Sequence, residues 1–523
     1  MTLKSSQEYL ESIKKRKPME IWFRGEKIDD PTTYGPLSSS LNAMMKVYEL
    51  AQDSDIGPLM TVESTLVNGL VNFYVAPLMS REDAVKKTKM ARILAEVLGC
   101  CSHRCTGSEA ISGLYPLTYD MDEIKGTDYH ERLKKWIKYV QDNDLACTAT
   151  LTDPKGDRKL TANKQKHPDF YLRIKEKRDD GIVISGAKVN QTGIIFAHEV
   201  VIVPTNAFSE DEKEYAVACA IPADTPGMTY VLGRTPQDLR LAGDEIEKID
   251  AGKEFADHQA TVIFEDVFVP NERIFMCEDY EFTPLLLEYF TAVHRITAGG
   301  CKCGGLCMLT GAADLAIEYI GAEKAGHVKN KLAEMVIKLE TLYALSLAAG
   351  FEGFEHPSGA WIPNSLLAHC TKFQATCLPF EDIAIAREFL TGWGETAPAA
   401  KDLFHPVIGP KLEKYFTPVA KEGATAEDRL RVVRLIEHLC RGSNWTAMAI
   451  HGGGNMEAAR LMAYRHTDWN KLKDIAATAC GVSKDKKKTY RKIAERKGQI
   501  DFGEKGFKAY LDKLKKGKEE KQV

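Results

Sequence analysis

NDLACTATLTDPKGDR, residues 143–158, is where this chain changes character. Before it the sequence reads as helix. REDAVKKTKMARILAEVLGCC (81–101) and DYHERLKKWIKYVQDND (128–144) space their apolar residues for one buried face. SSQEYLESIKK (5–15) opens on a serine cap, Ser5 or Ser6, with glutamate close behind. From Leu145 to about Met276 the apolar period shortens to two. GIVISGAKVNQ (181–191), EVVIVPT (199–205), EYAVACAIPAD (214–224) and ATVIFEDVFVP (260–270) read as strands bounded by Gly, Pro and Asp. From Tyr280 onward helix returns, in HVKNKLAEMVIKLETLYALSLAAG (327–350) and RLRVVRLIEHLCRGSNWTAMAI (429–450). This order predicts an α+β chain: an N-terminal helical domain (1–142), a middle β domain built as a barrel or sandwich (143–277), and a C-terminal helical bundle (278–482). A lysine-rich extension (483–523) follows, expected to be a solvated helix or a disordered end.

Bulk properties narrow the function classes. A chain of 523 residues exceeds what one compact core holds. Its formal charge of −4 gives no reason to expect nucleic-acid binding. The N-terminus is charged and lacks the apolar core of a secretory signal, and no run of 18 apolar residues spans a membrane. A cytoplasmic protein is expected. Its 13 cysteines are then thiols or ligands rather than disulfides.

Two stretches carry candidate chemistry. LGCCSHRCTGSEA (98–110) spaces Cys101 and Cys105 at i,i+4, and AVHRITAGGCKCGG (292–305) spaces His294 and Cys301 at i,i+7. On helices, both spacings put two side chains on one face. Three thiolates and one imidazole would make a four-ligand site suited to zinc or to an iron–sulfur cluster. The blander alternative is four ordinary core residues, since free cysteine packs as a small hydrophobe. Cys303 and Cys307 face away from Cys301. LTDPKGDR (151–158) is either an Asp-Pro-x-Gly turn or a backbone cradle for a ring. HGGGN (451–455) allows close backbone approach to a phosphate, or simply ends a helix. No G-x-G-x-x-G follows a strand, so a Rossmann fold is disfavoured.

The C-x3-C and H-x6-C-K patterns, together with NDLACTATLTDPKGDR, GAKVNQTGIIFAHEVVIVPT (186–205), VIFEDVFVPNERIF (262–275), AEKAGHVKNKLAEM (322–335) and HGGGN, resemble the 4-hydroxyphenylacetate 3-hydroxylase flavoprotein family. Within it they resemble the 4-hydroxybutyryl-CoA dehydratase branch, over about residues 5–480. The resemblance implies an acyl-CoA dehydrogenase-like fold, FAD and a [4Fe-4S] cluster, an acyl-CoA substrate, and a homotetramer built as a dimer of dimers. It places the cluster ligands on Cys101, Cys105, His294 and Cys301. It places flavin contacts on Thr152, Asp153 and Thr192, with Gly452, Gly453 and Asn455 also near the cofactor. The reaction it implies is a ketyl-radical elimination, in which His294 doubles as a base and Lys302 stabilises developing negative charge.

The chain departs from that branch in three places. Gln259 and Met448 stand where the dehydratases carry glutamates, and Ala298 stands where they carry a tyrosine. Glutamine and methionine move no protons. His103, His258 and His451 are the candidate replacements, His103 foremost because it lies between the first two cysteines. The expectation is an acyl-CoA dehydratase or isomerase with a changed substrate. The alternatives are a flavin-dependent aromatic monooxygenase and an inactive relative.

Overall fold

The computed structural model describes residues 3–233, 249, 254–440, 454–482 and 504–521. Ser5 caps the first helix: its hydroxyl accepts from Glu8 N, and Glu8 accepts from Ser5 N in return. Longer helices then build the site. Helix α1 (Arg81–Leu98) and helix α2 (Cys105–Lys125) precede most of the strands. Helix α3 (Thr283–Glu318) runs for 36 residues through the bundle that follows, flanked by α4 (Gly326–Phe351) and α5 (Ser365–Leu390). Helix α6 (Met456–Arg465) lies on α5.

The strands of the two larger sheets are β1 (Glu20–Phe23) and β2 (Glu26–Ile28), ahead of α1, and β3 (Cys147–Thr150), β4 (Arg173–Arg178), β5 (Gly181–Thr192), β6 (Glu199–Ile202), β7 (Val217–Pro222), β8 (Met228–Leu232), β9 (Gln259–Pro270) and β10 (Ile274–Cys277), between α2 and α3. They form a six-stranded sheet in the order β2-β1-β8-β9-β5-β4 and a four-stranded sheet in the order β10-β7-β6-β3. Among the described residues these are two open sheets, not the closed barrel that one form of the expectation required. The antiparallel register of β5 with β9 sets Thr192 opposite Gln259. Two residues far apart in sequence therefore share one end of the sheet.

Helix α3 packs unusually closely on its neighbours because of its glycines. A Cβ on Gly300 would lie 2.3 Å from Thr88 O, and one on Gly304 would lie 2.3 Å from Arg92 O, both on α1. On another side a Cβ on Gly299 would meet Thr371 and Ser346 at 2.5–2.7 Å. Cys301 sits in this narrowed waist. Backbone carbonyls in a helix cannot rotate aside, so Gly300→Ala must push α1 away from α3. The expected cost is about 1–3 kcal/mol of stability, read as a lower denaturant midpoint with an unchanged slope. An unaltered midpoint would show that the close approach is not maintained in solution.

Two expectations need correction. Cys101 and Cys105 do not share a helix face. Helix α1 stops at Leu98, capped by Gly99 in the left-handed region at φ 61°. Cys101 therefore lies in the connecting loop, and Cys105 is the first residue of α2. The lysine-rich extension is not solvated throughout either. Its helix Glu504–Lys521 docks on the body, where Tyr510 Oη donates to Glu281 O at 2.9 Å. No helix among the described residues is long and apolar enough to cross a membrane.

Candidate active site

A cavity of about 220 Å³ lies where α2, α3 and α5 meet the ends of β3, β5 and β9. Cys101, Cys105, His294 and Cys301 all line it. Three elements converge to place them: the 99–104 loop, the first turn of α2, and one face of α3, where His294 and Cys301 lie two turns apart. Thr152, Thr192, Gln259 and Ala298 line the same cavity. Thr192 Oγ1 donates to Gln259 Oε1 at 2.8 Å, and Gln259 Nε2 has no hydrogen-bond partner.

His294 is oriented by a residue that the sequence reading missed. Its Nδ1 lies 2.5 Å from Glu109 Oε2, and Glu109 is fully buried. Glu109 follows Cys105 by four residues on α2, so it presents the same helix face to the cavity. An i,i+4 Cys–Glu pair was the available signal. A carboxylate that accepts the Nδ1 hydrogen fixes the tautomer and leaves Nε2 with its lone pair, the arrangement that metal-binding histidines adopt.

Two of the thiols, Cys105 and Cys301, are held in the protonated form. Hydrogen bonding with Cys101, then burial, holds the Cys105 thiol well above its usual range. Burial pushes Cys301 up to about 11. The backbone N–H of His103 donates to Cys101 Sγ at 3.4 Å. Among the described residues, no three of these four candidate ligands bring their donor atoms within 4.8 Å of one another. A single tetrahedral zinc with thiolate bonds of about 2.3 Å needs them closer.

Other expected residues divide. His103 lines the cavity, is 1% exposed, sits at φ 63° and has no hydrogen-bond partner on either ring nitrogen. Burial, reinforced by neighbouring His258, pushes it down to about 3, so it is neutral at physiological pH. His258 is buried beside it and pushed to about 4 by burial. Lys302 lines the cavity and is buried. Burial lowers its pKa, while Cys301, Cys101 and Asp257 pull it back up. Lys372, not anticipated from sequence, lines the cavity from α5, and burial beside Lys302 and Arg295 brings it to about 7. Asp257, also missed, is raised by burial to about 6 and faces Lys302 and Gln259.

Asp153 is not a cavity residue. It is buried against Lys188, with Nζ 2.6 Å from its Oδ1. Asn455 is solvent-exposed and caps α6, its side chain accepting from Ala458 N at 2.8 Å. Gly452, Gly453, His451 and Met448 lie outside the described residues.

Known proteins bear on this geometry. The 4-hydroxybutyryl-CoA dehydratase/vinylacetyl-CoA-Delta-isomerase of Clostridium aminobutyricum is 38% identical over 492 residues, covering 92% of this chain and 100% of the relative. An oxygen-tolerant archaeal 4-hydroxybutyryl-CoA dehydratase from N. maritimus superposes with a TM-score of 0.88 at 34% identity, covering 92% of this chain and 96% of that one. The oxygenase component of 4-hydroxyphenylacetate 3-monooxygenase, complexed with FAD, shares the fold at a TM-score of 0.78 and 23% identity, covering 91% of this chain and 98% of that one. Sequence profiles described as 4-hydroxyphenylacetate 3-hydroxylase N terminal and C terminal match residues 5–276 and 284–481. The chain thus belongs to the 4-hydroxyphenylacetate 3-hydroxylase family and, within it, resembles the 4-hydroxybutyryl-CoA dehydratases.

Proposed function

We propose that this chain dehydrates or isomerises an acyl-CoA thioester, with FAD and one [4Fe-4S] cluster bound at the cavity and an acyl group other than 4-hydroxybutyryl as its preferred substrate. The observation that carries the reading is the meeting of Cys101, Cys105, Cys301 and a Glu109-oriented His294 in one enclosed space. The residues fit such groups. The thiols of Cys105 and Cys301, held above their usual range, would be relieved by metal, which takes them as thiolates and releases their protons. The orphaned nitrogens of His103 and Gln259 Nε2 await partners in the same region. Thr152 and Thr192 would contact the flavin through their hydroxyls.

When bound, the flavin would supply one-electron exchange and the cluster a Lewis-acidic iron, together suited to a radical elimination. The chain's own residues supply the rest. Glu109 holds the Nδ1 hydrogen of His294, so His294 Nε2 is its proton-accepting atom. Lys302 places its amine at the cavity wall facing Asp257, where its protonated form would stabilise an enolate or a departing hydroxide. Gln259 donates and accepts hydrogen bonds but exchanges no proton, which removes one acid/base step that a glutamate there would perform. The test is an anaerobic assay of a panel of hydroxyacyl-CoA thioesters. At least one should yield its enoyl-CoA faster than 4-hydroxybutyryl-CoA does, and no product from any of them would overturn the reading.

Two further outcomes are expected. Glu109→Gln should weaken cluster retention by roughly 10–100-fold, the usual cost of losing a carboxylate behind a ligating histidine. Iron content after gel filtration measures it, and iron equal to the parent's would remove Glu109 from this role. The chain should also assemble as a homotetramer. Val336 and Ile337 on α4 are 47% and 65% exposed, and Leu315 on α3 is 41% exposed, leaving apolar surface for a neighbouring copy to cover. Light scattering that gives a monomer at micromolar concentration with flavin bound would refute the assembly.

A further inference from the structure

Glu288 on α3, His369 on α5 and His466, the C-terminal cap of α6, meet inside the helical bundle. They are 5%, 0% and 2% exposed. His466 Nε2 lies 3.2 Å from Glu288 Oε1, and His369 Nε2 lies 3.8 Å from Glu288 Oε2. The two Nε2 atoms are 3.3 Å apart, with the rings at 85° to each other. Among the described residues this is the one trio of His, Cys, Asp or Glu whose donor atoms all fall within 4.8 Å. Tetrahedral zinc with bonds of about 2.0–2.1 Å to nitrogen and oxygen puts neighbouring donors about 3.3 Å apart. Two of the observed distances, 3.2 and 3.3 Å, match that figure, and the third, 3.8 Å from His369 to the second carboxylate oxygen, is longer.

Hydrogen bonding alone serves this arrangement poorly. A neutral imidazole carries one N–H, so each Nε2 is either donor or acceptor. If His466 Nε2 donates to Glu288, that hydrogen is not available to His369. If both Nε2 atoms carry hydrogen, two N–H groups face each other at 3.3 Å. Glu288 Oε2 and His369 Nδ1 make no hydrogen bond despite their burial, a costly condition for a carboxylate. A divalent cation would take a lone pair from each of the three atoms at once. Arg295 competes for the same carboxylate. Burial pushes its guanidinium down to about 10, and Glu288 draws it back up. A carboxylate has two oxygens and can serve both cations.

We propose that Glu288, His369 and His466 bind one divalent transition ion of the zinc class, with water as the fourth ligand, clamping α6 onto α3 and α5. Two histidines and one carboxylate are a common donor set for such ions. None of the three belongs to the cysteine site. The same two helices carry His294 and Lys372 to the cavity, so the ion would stiffen the frame that holds them.

The test uses full-length protein, with its flavin and cluster, expressed in zinc-supplemented medium. Metal analysis should find about one zinc per chain alongside iron. The zinc-edge X-ray absorption spectrum should show only nitrogen and oxygen scatterers at about 2.0–2.1 Å. The double variant His369→Asn, His466→Gln should lose the zinc, keep its acid-labile sulfide and melt at a lower temperature. Should that variant fail to fold, Glu288→Gln and the parent's edge spectrum still decide. Absence of zinc from the parent, its retention in the variants, or sulfur scatterers at about 2.3 Å would each overturn the inference. The last would put the ion on the cysteines instead.

Discussion

Replacing Gln259 by glutamate is expected to raise turnover of 4-hydroxybutyryl-CoA by roughly 10²–10⁴-fold, the contribution of one well-placed general acid or base. The geometry favours the substitution. Gln259 already lines the cavity, and its Oε1 already accepts from Thr192 Oγ1 at 2.8 Å. A carboxylate keeps that bond through one oxygen. It replaces the unpartnered Nε2 with a second oxygen that can take a proton. The side chain's volume hardly changes, so folding should be unaffected. Crotonyl-CoA formation, followed anaerobically in parent and variant at equal flavin and cluster content, measures the gain. Equal rates would mean that another group already moves this proton, and His294 would be the first to examine.

Lys302→Gln is expected to cost roughly 10²–10³-fold in kcat on whichever acyl-CoA proves to be the substrate. The ammonium is buried at the cavity wall, where an effective dielectric well below that of water strengthens its pull on developing negative charge. Asp257, facing it, supports the charge from behind. Glutamine preserves most of the volume and some hydrogen bonding but carries no charge. A role confined to the transition state lowers kcat and kcat/KM together, whereas a role in substrate binding raises KM and leaves kcat. An unchanged kcat would show that Lys302 serves only as counter-charge to the neighbouring thiols.

The helix–strand–helix order was legible because hydrophobic period reports burial directly. The strands at 181–192, 199–202, 217–222 and 259–270 fall where alternation placed them. What period cannot convey is closure, so barrel and sandwich both stayed open as readings, and the described strands form open sheets. Local backbone chemistry was underweighted at Gly99. Amphipathic spacing continues to Cys101, but a left-handed glycine ends the helix three residues earlier and moves Cys101 onto a loop. The four candidate ligands were found through residue type and resemblance, and the fold brings them to one cavity. Their supporting residues were harder to see. Glu109 reaches His294 across 185 positions of sequence, and Lys372 arrives from a helix with no motif of its own. Asp153 shows how little a motif says of where a side chain goes. It sits in the most suggestive flavin-like segment, yet its carboxylate is spent on Lys188 in the core.

The central claim is that Cys101, Cys105, His294 and Cys301 hold a [4Fe-4S] cluster. Iron and acid-labile sulfide analysis of anaerobically purified protein tests it most directly, with Cys301→Ser prepared alongside. The account predicts about four irons and four sulfides per chain in the parent, with most of both lost from the variant. Protein that contains flavin but no sulfide, or zinc held by sulfur in place of iron, would contradict it.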